Sequence, residues 1–214
     1  MTNKLLCTIF LSFLFSSANC QLKMGPREVL DKTAETFVAQ DGIKADFKAD
    51  YYTSGEIDAS AQGSICIQGK KFYITTSDLI TWFNGETQWS YMVENDEVNI
   101  STPSTEELQA MNPYFFLNLY KDGYKYKMKE TNLRGKDCYE ITLTAKEKNK
   151  SPHDIILNIN QVDFTPMCIR IRMKKKNKWA RISIYNYEGG ISFLDDKFVF
   201  KQEEYPDVEV IDLR

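Results

Sequence analysis

Apolar and polar positions follow two rhythms along this chain, and the change falls near residue 43. Val29, Leu30, Thr33, Ala34, Phe37 and Val38 recur at the spacing of one helix face, and Pro26 suits a first helical turn, so the spacing predicts an amphipathic helix over Pro26–Val38. From Ile43 the period becomes two. It runs through Ala45, Phe47 and Tyr51, then Ile65 and Ile67, Phe72 and Ile74, Trp82, Trp89 and Tyr91, and Val98 and Ile100, with Gly69, Asn84-Gly85 and Asn95-Asp96 as breaks. Asn84-Gly85 takes positive φ readily and predicts a tight hairpin between the Trp82 and Trp89 strands. Alternation resumes over 139–143, 155–159, 169–173 and 180–184, and Phe198-Val199-Phe200 reads as a last short strand before a polar tail.

A helical pair interrupts the strands. Ser104 is placed as an N-cap with Glu107 three residues on as its reciprocal partner, and Asn112-Pro113 restarts a helix carrying Tyr114, Phe115, Phe116, Leu117, Leu119 and Tyr120. A helix apolar all round must be covered on every side, and only a sheet can cover it here. Consecutive strands with short connections give a meandering antiparallel sheet, and a sheet of so many strands curls. The expected fold is mainly β (α+β), one domain with helices held in the concave side of a curved sheet. An ordinary filled core and a removable plug over an apolar hollow both fit this aromatic set.

The N-terminus changes what belongs to that domain. Lys4, an apolar run over 5–15 and the small residues Ser16-Ser17-Ala18-Asn19-Cys20 read as a secretory signal peptide over residues 1–20, leaving 21–214 as the single exported domain. The net charge of −3 becomes −4 without Lys4, a mild acidity that argues against nucleic acid as a partner. Cys66, Cys138 and Cys168 remain, and one bridge with one thiol or three buried thiols are both compatible with an odd count.

Chemistry-bearing motifs are scarce. The single histidine, His153, stands in a turn-like Ser151-Pro152-His153-Asp154 with no nucleophile elbow or Cys–His pairing, and no metal-ligand spacing or phosphate-binding glycine loop occurs. The acidic pairs Glu106-Glu107, Asp195-Asp196 and Glu203-Glu204 suit dipole or solvation roles. These observations predict no enzyme, no cofactor and no metal. Arg170, Arg172 and Lys174 make one strand face basic, with 175–178 as a charged hairpin tip; this reads as a solvated face ahead of a patch for anionic lipid or an acidic partner.

Several stretches together resemble one family. Asn84-Gly85-Glu86-Thr87-Gln88-Trp89-Ser90-Tyr91 resembles a hairpin of the periplasmic LolA-type outer-membrane lipoprotein carriers. Ile43-Lys44-Ala45-Asp46-Phe47 is similar to their first strand, and Gly63-Ser64-Ile65-Cys66-Ile67 leading to Lys71-Phe72 to their next strand pair. Asp195 to Phe200, with Pro206 and Val208, is similar to their closing strand. The resemblance implies a strongly curved, incomplete antiparallel β-barrel with helices in its mouth, and a periplasmic chaperone that holds lipoprotein acyl chains in transit. The implied partners are acylated lipoproteins, an inner-membrane ABC-type release complex and an outer-membrane acceptor, the carrier being a monomer. Family members place an Arg before a Pro in that strand pair to hold the lid; here Gln68-Gly69-Lys70-Lys71 has neither, and a Lys lacks the planar fork.

By strand parity, Phe47, Ile65, Ile67, Phe72, Ile74, Trp82, Trp89 and Tyr91 are expected on the sheet side of the hollow, and Leu108, Met111, Phe115, Phe116 and Leu119 on its helix side. Two other classes compete with a carrier: a lipid- or lipoprotein-sensing interaction module of the same fold, and an exported hydrolase using carboxylates in the hollow.

Overall fold

The computed structural model describes residues 24–104, 107–108, 119–148, 150–173 and 177–214. The expected signal peptide, the expected helix restart at Asn112-Pro113, Lys174 of the basic strand face, and Lys175 and Lys176 of the charged tip lie outside them. Helix α1 spans Pro26–Val38, the predicted limits. Pro26 needs no hydrogen bond at a first turn, and the Gly25 N–H donates to Glu28 Oε2 at 2.6 Å. Val29, Leu30, Thr33 and Phe37 form its buried stripe.

Among the described residues twelve strands follow: β1 (Ile43–Thr53), β2 (Glu56–Gln68), β3 (Lys71–Thr76), β4 (Leu79–Phe83), β5 (Gln88–Met92), β6 (Glu97–Ser101), β7 (Tyr124–Leu133), β8 (Lys136–Ala145), β9 (Asp154–Asn160), β10 (Pro166–Arg172), β11 (Lys178–Gly189) and β12 (Glu209–Asp212). They form a single sheet in the order β12-β6-β5-β4-β3-β2-β1-β11-β10-β9-β8-β7. Two antiparallel meanders, β1 to β6 and β7 to β11, are therefore joined edge to edge by β1 and β11, and β12 adds in parallel beside β6. The Asn84-Gly85 turn forms as predicted, with Gly85 at φ 104° and Asn84 Oδ1 accepting the N–H groups of Glu86 and Thr87 at 3.0 and 2.9 Å. Gly63 has a different reason to be glycine: a Cβ there would stand 1.8 Å from the Thr75 carbonyl oxygen.

The sheet curls around α1 without closing. Val29 and Leu30 join a core cluster with Ile141 and Leu143 of β8, while Phe37 joins another with Phe72 of β3 and Phe83 of β4. Strands β3 and β8 stand six spacings apart, about 29 Å if flat. Val29 and Phe37 are only about 12 Å apart along a helix axis. Curvature resolves the mismatch and leaves β12 and β7 as unpaired edges. Ser104 and Glu107 make the expected capping box, Glu107 Oε2 accepting the Ser104 N–H at 2.7 Å and Ser104 Oγ accepting the Glu107 N–H at 3.3 Å. Leu108 then packs on the Phe37 cluster and Leu119 on the Val29 cluster, so the described ends of the β6–β7 connection lie on the same concave side as α1.

Three expectations need correction. Phe198-Val199-Phe200 is not a strand: Asp195–Phe198 is a 3-10 turn and 199–201 is irregular. Strands β2 to β5 already have neighbours on both edges, so this segment packs onto their outer face instead, Phe198 fully buried and edge-on to Phe193 at 5.8 Å. The polar tail holds the real last strand, β12, on the free edge of β6. The resemblance to a closing strand over 195–200 thus falls on a covering segment. Strand β7 was not anticipated, although Tyr124, Tyr126 and Met128 alternate there with Lys125, Lys127 and Lys129.

Candidate functional site: an apolar hollow

The concave face of β1 presents Ile43, Ala45, Phe47, Ala49 and Tyr51, every second residue. Register carries the same face across the sheet, with Ile65 opposite Ala45, Ile74 opposite Ile65, and Ile182 and Ile184 opposite Ala49 and Phe47. Phe37 of α1 and Pro166 at the start of β10 complete a hollow of about 190 Å³. That exceeds the roughly 150 Å³ of an engineered dry cavity that takes benzene. Among the described residues Asp46 is its one charged lining residue, and its carboxylate accepts a hydrogen bond from Asn186 Nδ2 at 2.7 Å. Tyr187 stands at the rim, its hydroxyl donating to Gln40 Oε1 at 3.2 Å and its pKa pushed up to about 12, first by burial and then by the negative field of Asp163.

The residues singled out in the sequence divide into four groups. Phe47, Ile65, Ile67 and Ile74 line the hollow, Phe72 is fully buried against Phe83 in the adjoining core cluster without lining the hollow, and Leu108 packs on the same cluster. Leu119 packs instead in the cluster around Val29 and Leu30. Met111, Phe115 and Phe116 lie outside the described residues. Trp82, Trp89 and Tyr91 face the other way: Phe83 and Thr81 stand opposite the inward Phe72 and Ile74, which turns Trp82 outward opposite Tyr73, and Trp89 pairs with Trp82. On that outer face Trp82 meets Phe200 and Tyr205 at 5.5 and 5.8 Å, and Tyr91 meets Tyr205 at 5.1 Å. The covering segment supplies the apolar environment that the hollow was expected to supply.

Ile43, Ala45, Ala49, Ile182, Ile184, Tyr187 and Phe37 line the hollow without having been singled out for it. Ala45 and Ala49 share the parity of Phe47, a signal that was there to use. Ile182 and Ile184 had none, because the β1–β11 pairing joins residues far apart in sequence.

The outer face at the β1–β11 joint is polar and internally paired. Asp50, 1 % exposed, accepts hydrogen bonds from Ser60 Oγ at 2.7 Å and Arg181 Nη2 at 2.8 Å, with Lys48 Nζ at 3.0 Å. Arg181 first, then Ser60 and Lys48, hold the Asp50 carboxyl down at about 2 despite its burial. Arg170 pairs with Glu140 at 2.8 Å, and Arg172 pairs with Asp154 and approaches His153 Nδ1 at 2.6 Å. The basic strand face is thus matched by carboxylates, in keeping with a structural role. Cys66, Cys138 and Cys168 are buried and unpaired, and burial raises each thiol pKa. Among the described residues no group of three or more His, Cys, Asp or Glu side chains is placed to hold a metal ion.

Residues 16–175 match the family model described as outer membrane lipoprotein carrier protein LolA. A comparison with curated protein sequences found no match. Among solved structures, an uncharacterized conserved protein from Thermus thermophilus is similar over 87 % of this chain and 98 % of its own, with 10 % identity and a TM-score of 0.58, a likeness of fold. A LolA superfamily protein from Nitrosomonas europaea aligns over 83 % of this chain and 98 % of its own at 10 % identity and a TM-score of 0.44. The MucA/MucB complex of Pseudomonas aeruginosa aligns over 82 % of this chain and 60 % of its own at 12 % identity and a TM-score of 0.42.

Proposed function

Since this chain belongs to the family of outer membrane lipoprotein carrier proteins, LolA, we propose that it is a periplasmic chaperone that shelters lipoprotein acyl chains in the concave hollow between the membranes. The observation that carries this reading is the apolar hollow under α1, walled by aliphatic and aromatic side chains from five strands. Each methylene buried there is worth about 0.8 kcal/mol, so an acylated protein gains many kcal/mol from such shelter and crosses water poorly without it. The hollow of about 190 Å³ is small for several chains at once. Cargo entry then calls for what lies on the concave side, α1 and the described ends of the β6–β7 connection, to give way.

In this reading Phe47, Ile65, Ile67 and Ile74 contact the acyl chains from the sheet, with Phe72 packed in the adjoining cluster, and Leu108, Met111, Phe115, Phe116 and Leu119 contact them from the helix side. Trp82, Trp89 and Tyr91 do not take part. The donor would be an inner-membrane ABC-type release complex and the acceptor an outer-membrane receptor, with no chemistry done by the carrier. Lys70 is exposed at the β2–β3 turn, and a lysine lacks the planar fork with which an arginine would hold a lid. The test is binding of an acylated lipoprotein fragment to the purified mature chain, measured beside its unacylated twin. Saturable binding of the acylated form alone, reversed by competing lipid, is the expected result; equal binding of both forms would end the proposal.

A further inference from the structure

The wall of the hollow is interrupted between β10 and β11. Pairing of β10 with β11 ends at Cys168 and Ser183, and beyond that point both strands are irregular. On β11, the register against β1 slips between Lys44 and Asp46, so that Asn186 and Tyr187 together stand opposite Ala45, one residue in excess, with Asn186 at φ 45°. On β10, the register against β9 slips between Pro166 and Cys168. Bulges of this kind collect at barrel rims and beside functional sites because they bend a strand and free its backbone groups. Here they part the two strands and open a groove of about 380 Å³.

Pro166, Ile184 and Tyr187 line both this groove and the apolar hollow, so the two adjoin at these three residues. The groove is polar where the hollow is not. Arg134, at the tip of the β7–β8 hairpin, reaches across the gap and donates through Nη2 to the carbonyl oxygens of Met167 at 2.9 Å and Ile184 at 2.8 Å. Its guanidinium also lies over the Tyr185 ring, 4.3 Å from the centroid. Lys136, exposed, lines the same groove. The groove's carboxylate, Asp163, is turned to its own loop, accepting from the Thr165 N–H at 3.0 Å and hydroxyl at 2.6 Å. Two cations thus flank the outer end of an apolar slot, and a guanidinium that gives one nitrogen to carbonyls keeps its other donors for an incoming anion.

We propose that the hollow and this groove form one site for a single-chain amphiphile with an anionic head, the alkyl chain lying among Phe47, Ile65 and Ile184 and the carboxylate or phosphate held at Arg134 and Lys136. This rests on the acyl-binding reading and adds the charge of the head and the route it takes through the wall. The experiment measures, by displacement of a neutral fluorescent apolar probe, the affinities of oleate, oleoyl-lysophosphatidylglycerol and uncharged monoolein for the mature chain and for Lys136→Gln. At least one anionic ligand should bind about tenfold more tightly than monoolein, the scale of one charge-assisted hydrogen bond. Which one does so tells a carboxylate head from a phosphate head. In Lys136→Gln the ratio of anionic to neutral affinity should fall toward one. Arg134→Gln should lower the ratio too, and is read beside a thermal melt because it also removes the strand bridge. Equal affinities for all three ligands, unchanged by Lys136→Gln, would overturn the head site while leaving acyl binding intact. Failure of all three to displace the probe would overturn both.

Discussion

Asp50 holds the joint between the two meanders. It sits on β1 directly opposite Ser60 of β2 and Arg181 of β11, so its carboxylate ties three strands together on the outer face. Hydrogen bonds to a charged group are worth about 1.5–3 kcal/mol, and removing one partner leaves a cation short of its counter-charge. Asp50→Asn should therefore lower stability near neutral pH by about 2 kcal/mol in urea unfolding, discounted for the partial exposure of Arg181 and Lys48. The folded pKa is depressed, so the contribution is fully present above the ordinary carboxyl value of 3.8 and is lost as pH falls toward about 2. Wild type and variant should converge over that window; a gap that persists below it would refute the assignment. Sequence alone read the strand face around Arg170 as charged and solvated; the structure pairs its arginines with the largely buried carboxylates Glu140 and Asp154, and the neighbouring Arg181 with Asp50. The partners themselves were not legible, since each comes from another strand.

Strand register decides which aromatics see the hollow. Strand β4 is Leu79-Ile80-Thr81-Trp82-Phe83, apolar on both faces at its end, so alternation cannot say which face is inward. The covering segment with Phe200 and Tyr205 makes the outer face a second buried layer, and Trp82 belongs to it. The chain's three tryptophans share that side, because Trp179 on β11 alternates with the inward Ala180 and Ile182. Native tryptophan emission should then change little when an alkyl ligand fills the hollow, whereas a Phe47→Trp variant should shift to the blue. A clear native response with a silent Phe47→Trp probe would place the ligand elsewhere. Helix α1 was readable to its end residues because its signals are local: Pro26 at the first turn and a stripe at helical spacing. Strand β12 was not, since Glu209-Val210-Ile211-Asp212 is largely exposed and adopts strand form only by adding to the edge of β6.

At the scale of the whole molecule, the question is whether the hollow is a working volume or a packing remnant. Ala45 and Ala49 keep it open: both are small, both face inward, and both lie between larger side chains. Ala49→Phe should fold with little change in stability, because the new ring enters existing space where overpacking would otherwise cost about 1–3 kcal/mol. Affinity for an acyl ligand should fall by about tenfold or more, equivalent to about 1.4 kcal/mol. Calorimetric unfolding read beside probe binding checks both halves. A stable Ala49→Phe that binds acyl ligands as well as the parent would show that the hollow is not where they go.

Local chemistry written in the chain determined the elements: α1, the alternation of most strands, the Asn84-Gly85 turn and the capping box at Ser104. These depend on residues within a few positions of one another. The sheet's curvature, the side to which Trp82 and its neighbours turn, and the break between β10 and β11 were settled only by the tertiary structure. Each depends on which distant strand lies alongside and what covers the outer face. A strand with apolar residues on both sides has no inside until its neighbours provide one.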